Sequence, residues 1–169
     1  MTFEPITTFL LITHVMLSAV WISSLFALYM SFSVANAAGY ERLRDFLGTT
    51  CRRLLLSSIV LGAVTLMLGI ALAELLLGFE SALDFGNIRI WPLHIGGALG
   101  LMSVLILVMG IVPKRADMVS LLRRFNADAN SEIELRVKSH VWRVRAMSAA
   151  SLGLSLIAAG LMACSRSLS

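Results

Sequence analysis

Long uncharged stretches alternate along the chain with short charged ones, and the uncharged stretches carry the first prediction. Four long windows, 5–40, 54–73, 90–113 and 146–165, hold no Asp, Glu, Lys or Arg. Each reaches the roughly 20 residues that an α-helix needs to cross ~30 Å of hydrocarbon. None shows the short alternating segments of a membrane barrel, and lipid admits no third kind of spanning backbone. The pattern predicts an all-α, integral membrane four-helix bundle, one transmembrane domain over 1–169, with helices at about 7–38, 53–78, 90–112 and 146–164. The first window exceeds one crossing, so the span is placed near Thr7–Met30, with Ser31–Tyr40 extending into the interface.

Composition agrees: 58 % of the 169 residues are hydrophobic and 14 % charged, and the mean hydropathy is +0.87. That leaves too little polar surface for a soluble globule. A mass of 18.4 kDa leaves room for one small bundle and excludes a multi-domain enzyme or a transporter built from two repeats.

Charge then orients the helices. Of the 14 basic residues, only Arg89 and Arg166 lie outside the loops after helices one and three. The positive-inside rule places those two loops in the cytoplasm, so both termini are expected to face outward, into the periplasm if the source is a bacterium with an inner membrane. The amino-terminal apolar run is too long for the core of a cleaved signal peptide and is expected to stay as a helix. The net charge of +4 belongs to these loops, with no aromatic interleaving, so no nucleic-acid partner is expected. Between Lys114 and Arg145, Met118, Leu121, Leu122 and Phe125 recur at helical spacing among arginines and predict a cytoplasmic amphipathic segment, expected to lie on anionic lipid.

Ionisable side chains inside spans are costly, and therefore informative. His14 in helix one and His94 in helix three fall at similar depth, ~10 Å and ~6 Å from the outer ends of co-directional helices. Two neutral imidazoles facing each other at one level suit the axial positions of a b-type haem. Interhelical hydrogen bonding is the plainer role for the same pair. Gly97, with Gly96 and Gly100, removes bulk where a macrocycle would lie, although Gly96 and Gly100 also form a GxxxG packing step. Arg89 is placed to meet propionates or to anchor the interface. Glu74 could orient an imidazole or simply end its helix. Trp21, seven residues after His14, lies on the same helix face and suits packing on a macrocycle or on a neighbouring helix. Copper is the alternative metal, with Met16, His14, His94 and Cys164 as its ligands. Cys51 and Cys164 sit on opposite sides and cannot pair within one chain. His140, in KSHVWRVRA, is expected at headgroup level and outside any site. No phosphate loop, HExxH, CxxC or nucleophile elbow is present.

HVMLSAVWISSLFALYM in helix one, RRLLLSSIVLGAVTLMLGIAL at 52–72 and WPLHIGGALGLMSVLILVMG at 91–110 resemble the first three helices of the copper resistance D family and of the related HemJ-type protoporphyrinogen oxidases. The specific elements are the His14 to Trp21 spacing and the histidine opening helix three. The resemblance implies an inner-membrane bundle, with haem b in the HemJ branch and copper uptake in the other. Where the HemJ pattern has a Lys, this chain has Ile95 or Gly96, and VRAMSAAS stands in place of its Arg-x-x-Asn-Glu stretch. The oxidase reaction is therefore not carried over.

The expectation is an inner-membrane haem b protein with ligands His14 and His94, passing electrons to a redox partner or oxidising a quinone-like lipophilic substrate. The alternatives are copper handling and a cofactor-free structural or assembly subunit. A homodimer is a candidate assembly, because four short helices leave limited room for a cofactor.

Overall fold

The computed structural model describes residues 4–77, 90–127 and 131–166. Among them there is no strand, and four helices are long and apolar enough to cross a membrane. Helix α1 is Glu4–Ala37. Helix α2 (40–77) runs as Tyr40–Asp45, a π-helical turn Phe46–Thr50 and Cys51–Leu77. Helix α3 (91–127) runs as Trp91–Leu105, a second π-helical turn Ile106–Ile111 and Val112–Ala127. Helix α4 is Ser131–Arg166.

Local sequence explains the boundaries. Ala38 and Gly39 separate α1 from α2, and Gly39 takes φ 104°, a conformation that costs glycine little because it has no Cβ. Pro92 sits in the first turn of α3, where its missing N–H costs nothing. The helices outrun the hydrocarbon: the 36 residues of α4 extend about 54 Å at 1.5 Å per residue. The excess lies at the end that carries the arginines and lysines, here called the basic end, opposite the histidine end.

The packing is two antiparallel hairpins side by side, α1 on α2 and α3 on α4. The hairpins meet through α1 against α4 and α2 against α3, so α1 and α3 stand diagonally across the bundle. One apolar core begins at Trp21 and runs to the basic end through Leu25, Leu28, Phe32, Leu43, Leu47, Leu107, Ile111, Met118, Leu122 and Val144. On the histidine side of Trp21, among the described side chains, the only apolar ones fully buried are Leu72 and Ala158. There the helices hold by close contact and hydroxyl bonds. Ser103 of α3 meets Ser151 Oγ at 2.7 Å and Ser155 Oγ at 2.9 Å on α4. One turn to the basic side of Trp21, Ser24 of α1 meets Ser58 of α2 at 2.9 Å. Such hydroxyl pairs join helices in a solvent that supplies no hydrophobic drive between them.

One expectation is corrected here. The 114–125 stretch is amphipathic, with Met118 and Leu122 buried and Arg123 and Arg124 exposed. It is not a separate helix lying on lipid, because it continues α3 beyond the apolar window and packs its apolar stripe against Leu43, Leu47 and Val137. The π turn of α2 is tied into the same extension. Arg115 donates from Nε to the Leu47 carbonyl at 2.7 Å and from Nη2 to the Gly48 carbonyl at 3.0 Å. A π turn shifts the helical hydrogen-bond ladder, and the guanidinium fork satisfies carbonyls within it.

Candidate functional site

Helix α1 turns one face inward over its whole length. His14, Trp21, Leu25, Leu28 and Phe32 share it, and the last four are each at most 4 % exposed. The surface that receives this face on α2 is made of small residues. A Cβ on Gly69 would lie 3.0 Å from the His14 Cε1, and one on Gly62 would lie 2.8 Å from the Trp21 Cε2. His14 and Trp21 are seven residues apart, and so are Gly69 and Gly62 in the opposite chain direction. Two antiparallel helices therefore mesh large into small at successive levels, with Ser24 on Ser58 continuing the register.

The imidazole of His14 is half-buried, and its Nδ1 is shielded from solvent. The Ser18 hydroxyl, one turn below, donates to the His14 carbonyl at 2.8 Å. Between the two rings, α2 contributes Thr65, which is 4 % exposed. Trp21 Nε1 and Thr65 Oγ1 are both buried and meet no hydrogen-bond partner. In a packed interior such groups are rare and costly, which marks this stretch as one where a polar atom could be received.

Helix α3 approaches α2 at Val104, whose Cγ2 also faces Gly62, and at Gly100, which faces Leu66. The same antiparallel register brings Gly97 to the level of Gly69 and His14. A Cβ on Gly97 would meet nothing within 4 Å, so open space lies beside α3 at that level. Gly96 and Gly100 have the packing role open to a GxxxG step: Gly96 faces Met162 and the Ala158 carbonyl of α4, and Gly100 faces Leu66 of α2.

His94 lies one turn further toward the helix start. The buried positions of α3 are Gly96, Gly100, Ser103, Leu107 and Ile111, which form one stripe. His94 is on the opposite arc, in line with Leu101, Leu105 and Val108, which are 51 %, 39 % and 42 % exposed. Its Nε2 is nonetheless shielded. His14 and His94 belong to different hairpins, on α1 and α3. They stand on diagonal helices, one ring pressed toward α2 and the other leaving α3 on its outward arc.

The remaining expected residues separate. Met16 is 64 % exposed and points away from the face that carries His14. Cys164 is near the end of α4, but its side chain lies outside the described residues, as does Arg89 entirely. Glu74 is exposed. His140 sits at the basic end, its Nδ1 2.9 Å from the Arg136 carbonyl. Among the described residues, no three His, Cys, Asp or Glu side chains gather as a metal site. The glycines that seat the two rings, and Thr65 between them, are the residues that sequence reasoning passed over. Their signal was the seven-residue repeat of Gly62 and Gly69. No family model, no curated protein and no solved structure matches the chain.

Proposed function

We propose that this is a bacterial inner-membrane redox protein of the copper resistance D and HemJ-like group, with its basic end in the cytoplasm and a b-type haem held by His14 near the outer face. The observation that carries the reading is where the continuous core stops. From Trp21 to the basic end the bundle is closed by buried apolar side chains, whereas on the histidine side α2 offers α1 small and polar positions, with Gly69 facing His14, Gly62 facing Trp21 and Thr65 buried between them. Thr65 Oγ1 and Trp21 Nε1 are buried polar atoms at this boundary.

When bound, the haem supplies one-electron transfer at a potential set by its axial ligand and surroundings. The chain's own contribution is orientation. Gly69 lets the Cε1 edge of the imidazole come close to α2, and the shielded Nδ1 keeps one ring nitrogen out of water. Its seat against Gly69 supports His14 as the ligand, while His94 stands on the diagonal helix. A copper site gains no support, since Met16 faces away.

The test is the visible spectrum of the purified protein. A Soret band should be present and should be lost in His14→Ala, while His94→Ala should retain most of the haem. Loss of haem in His94→Ala with retention in His14→Ala would overturn the assignment, as would a wild-type protein purified from haem-replete cells that contains none.

A further inference from the structure

At the basic end, far from His14, the turn from α1 into α2 leaves a groove of about 410 Å³ against α4. Its walls are Asn36, Gly39 and Tyr40 on one side and Lys138, Val141, Trp142 and Arg145 on the other. The depth of this groove is fixed by the sequence. Arg145 immediately precedes the uncharged window of α4, and its guanidinium lies over the Tyr29 ring at 5.8 Å. Lys138 is seven residues further out, about 10 Å along the helix. The groove therefore spans the headgroup layer. Trp142, 70 % exposed, stands at its lip, where an indole sits well between acyl chain and water.

The electrostatics select the occupant. Among the described residues, Arg145 forms no ion pair. Its Nη2 is 3.5 Å from the Tyr29 hydroxyl, so its remaining donors can turn toward the groove. Lys138 is bonded to Glu134 at 2.7 Å, and that carboxylate is the opposing charge nearby. The Asn36 side chain adds an amide, and Val141 lines the floor with apolar surface. Two cations, an amide, an aromatic lip and an apolar floor match a phosphodiester headgroup with its glycerol backbone.

The geometry points to a site for one acidic phospholipid between the α1–α2 turn and α4, with Arg145 and Lys138 binding the phosphate and Trp142 the acyl–glycerol region. The site does not depend on the haem reading. A second basic groove, lined by Arg115, Ser120, Arg123 and Arg124, lies on the α3 extension at a similar depth and has no aromatic or amide side chain in its wall. It serves as a control for charge alone.

The full-length protein in neutral detergent, mixed with phosphatidylglycerol or phosphatidylcholine and read by native mass spectrometry, tests this. Phosphatidylglycerol should be retained over phosphatidylcholine. Lys138→Gln with Arg145→Gln should weaken retention about 25-fold, at about five-fold per cation near a membrane surface. Asn36→Asp, which adds a carboxylate to the wall without removing a cation, should weaken it too. Arg123→Gln with Arg124→Gln should leave it unchanged, and circular dichroism should show all variants equally helical. Three results would overturn the site: equal retention of both lipids, an unaltered double variant at Lys138 and Arg145, or displacement by millimolar inorganic phosphate, which would indicate a site for soluble phosphate.

Discussion

Gly62→Ala tests the packing of three helices with one methyl group. The added Cβ would lie 2.8 Å from the Trp21 Cε2 and 2.8 Å from the Val104 Cγ2, so it meets α1 and α3 at once. Neither neighbour is the free end of a flexible chain. Trp21 is 4 % exposed and seated on this glycine, and Val104 is β-branched, with χ1 restricted in a helix. Overpacking of this kind costs about 1–3 kcal/mol. Replacing glycine by alanine inside a helix returns about 1 kcal/mol. The net loss should be about 1–2 kcal/mol, because the collision is two-sided and neither ring nor isopropyl group can withdraw. Gly160→Ala is the matched control, since its Cβ would meet nothing within 4 Å and only the propensity gain remains. Unfolding by sodium dodecyl sulfate in mixed micelles, followed by circular dichroism, should place Gly62→Ala at a lower midpoint than wild type, and Gly160→Ala at or above it. Val104→Ala removes one of the two collisions, so the double variant should recover part of the loss as a positive coupling. A Gly62→Ala protein as stable as Gly160→Ala would refute the three-helix contact.

The remaining predictions concern single groups. Ser103→Ala removes the bonds to Ser151 and Ser155 together, and at about 0.6 kcal/mol for an average interhelical bond in a membrane the loss should be about 1 kcal/mol in the same assay. Cys51 is buried, and burial pushes its thiol up to about 11 despite the opposing charge of Arg115; in a Cys164→Ser background it should resist alkylation at pH 8 until the protein is unfolded. The hydrogen bond and charge of Lys138 hold the Glu134 carboxyl below its usual range. The pair's contribution should be present above the unfolded carboxylate value and fade as pH falls through the lowered one. A nuclear magnetic resonance titration of Glu134 should show the shift, and Lys138→Gln should abolish it. A periplasmic reporter fused after residue 169 should be active and one fused at 128 inactive, if the basic end is cytoplasmic.

What the sequence made legible follows from what lipid does to side chains. Four spans could be read because an uncharged run of sufficient length has only one use in a membrane. The direction of each span about its own axis is harder to read, because lipid solvates any apolar side chain and an aliphatic stripe does not say which way is in. Equal depth for His14 and His94 came from counting residues along the helices, and depth contains no azimuth. The azimuth of α3 was nevertheless written in its small residues. Gly96, Gly100 and Ser103 form a stripe opposite His94, and in a bilayer small and hydroxyl residues mark the faces that other helices approach. The same argument explains α1. His14 and Trp21 could be placed on one face, but only the antiparallel register with Gly69 and Gly62 shows that each ring is received by a glycine. The 114–125 segment failed for a related reason, since an apolar stripe among arginines fits a lipid surface as well as a helix. Leu43 and Leu47, brought over it by a turn at Gly39, decide between them. In this bundle, then, bulky apolar residues report that a segment is buried, and the glycines and serines report against what.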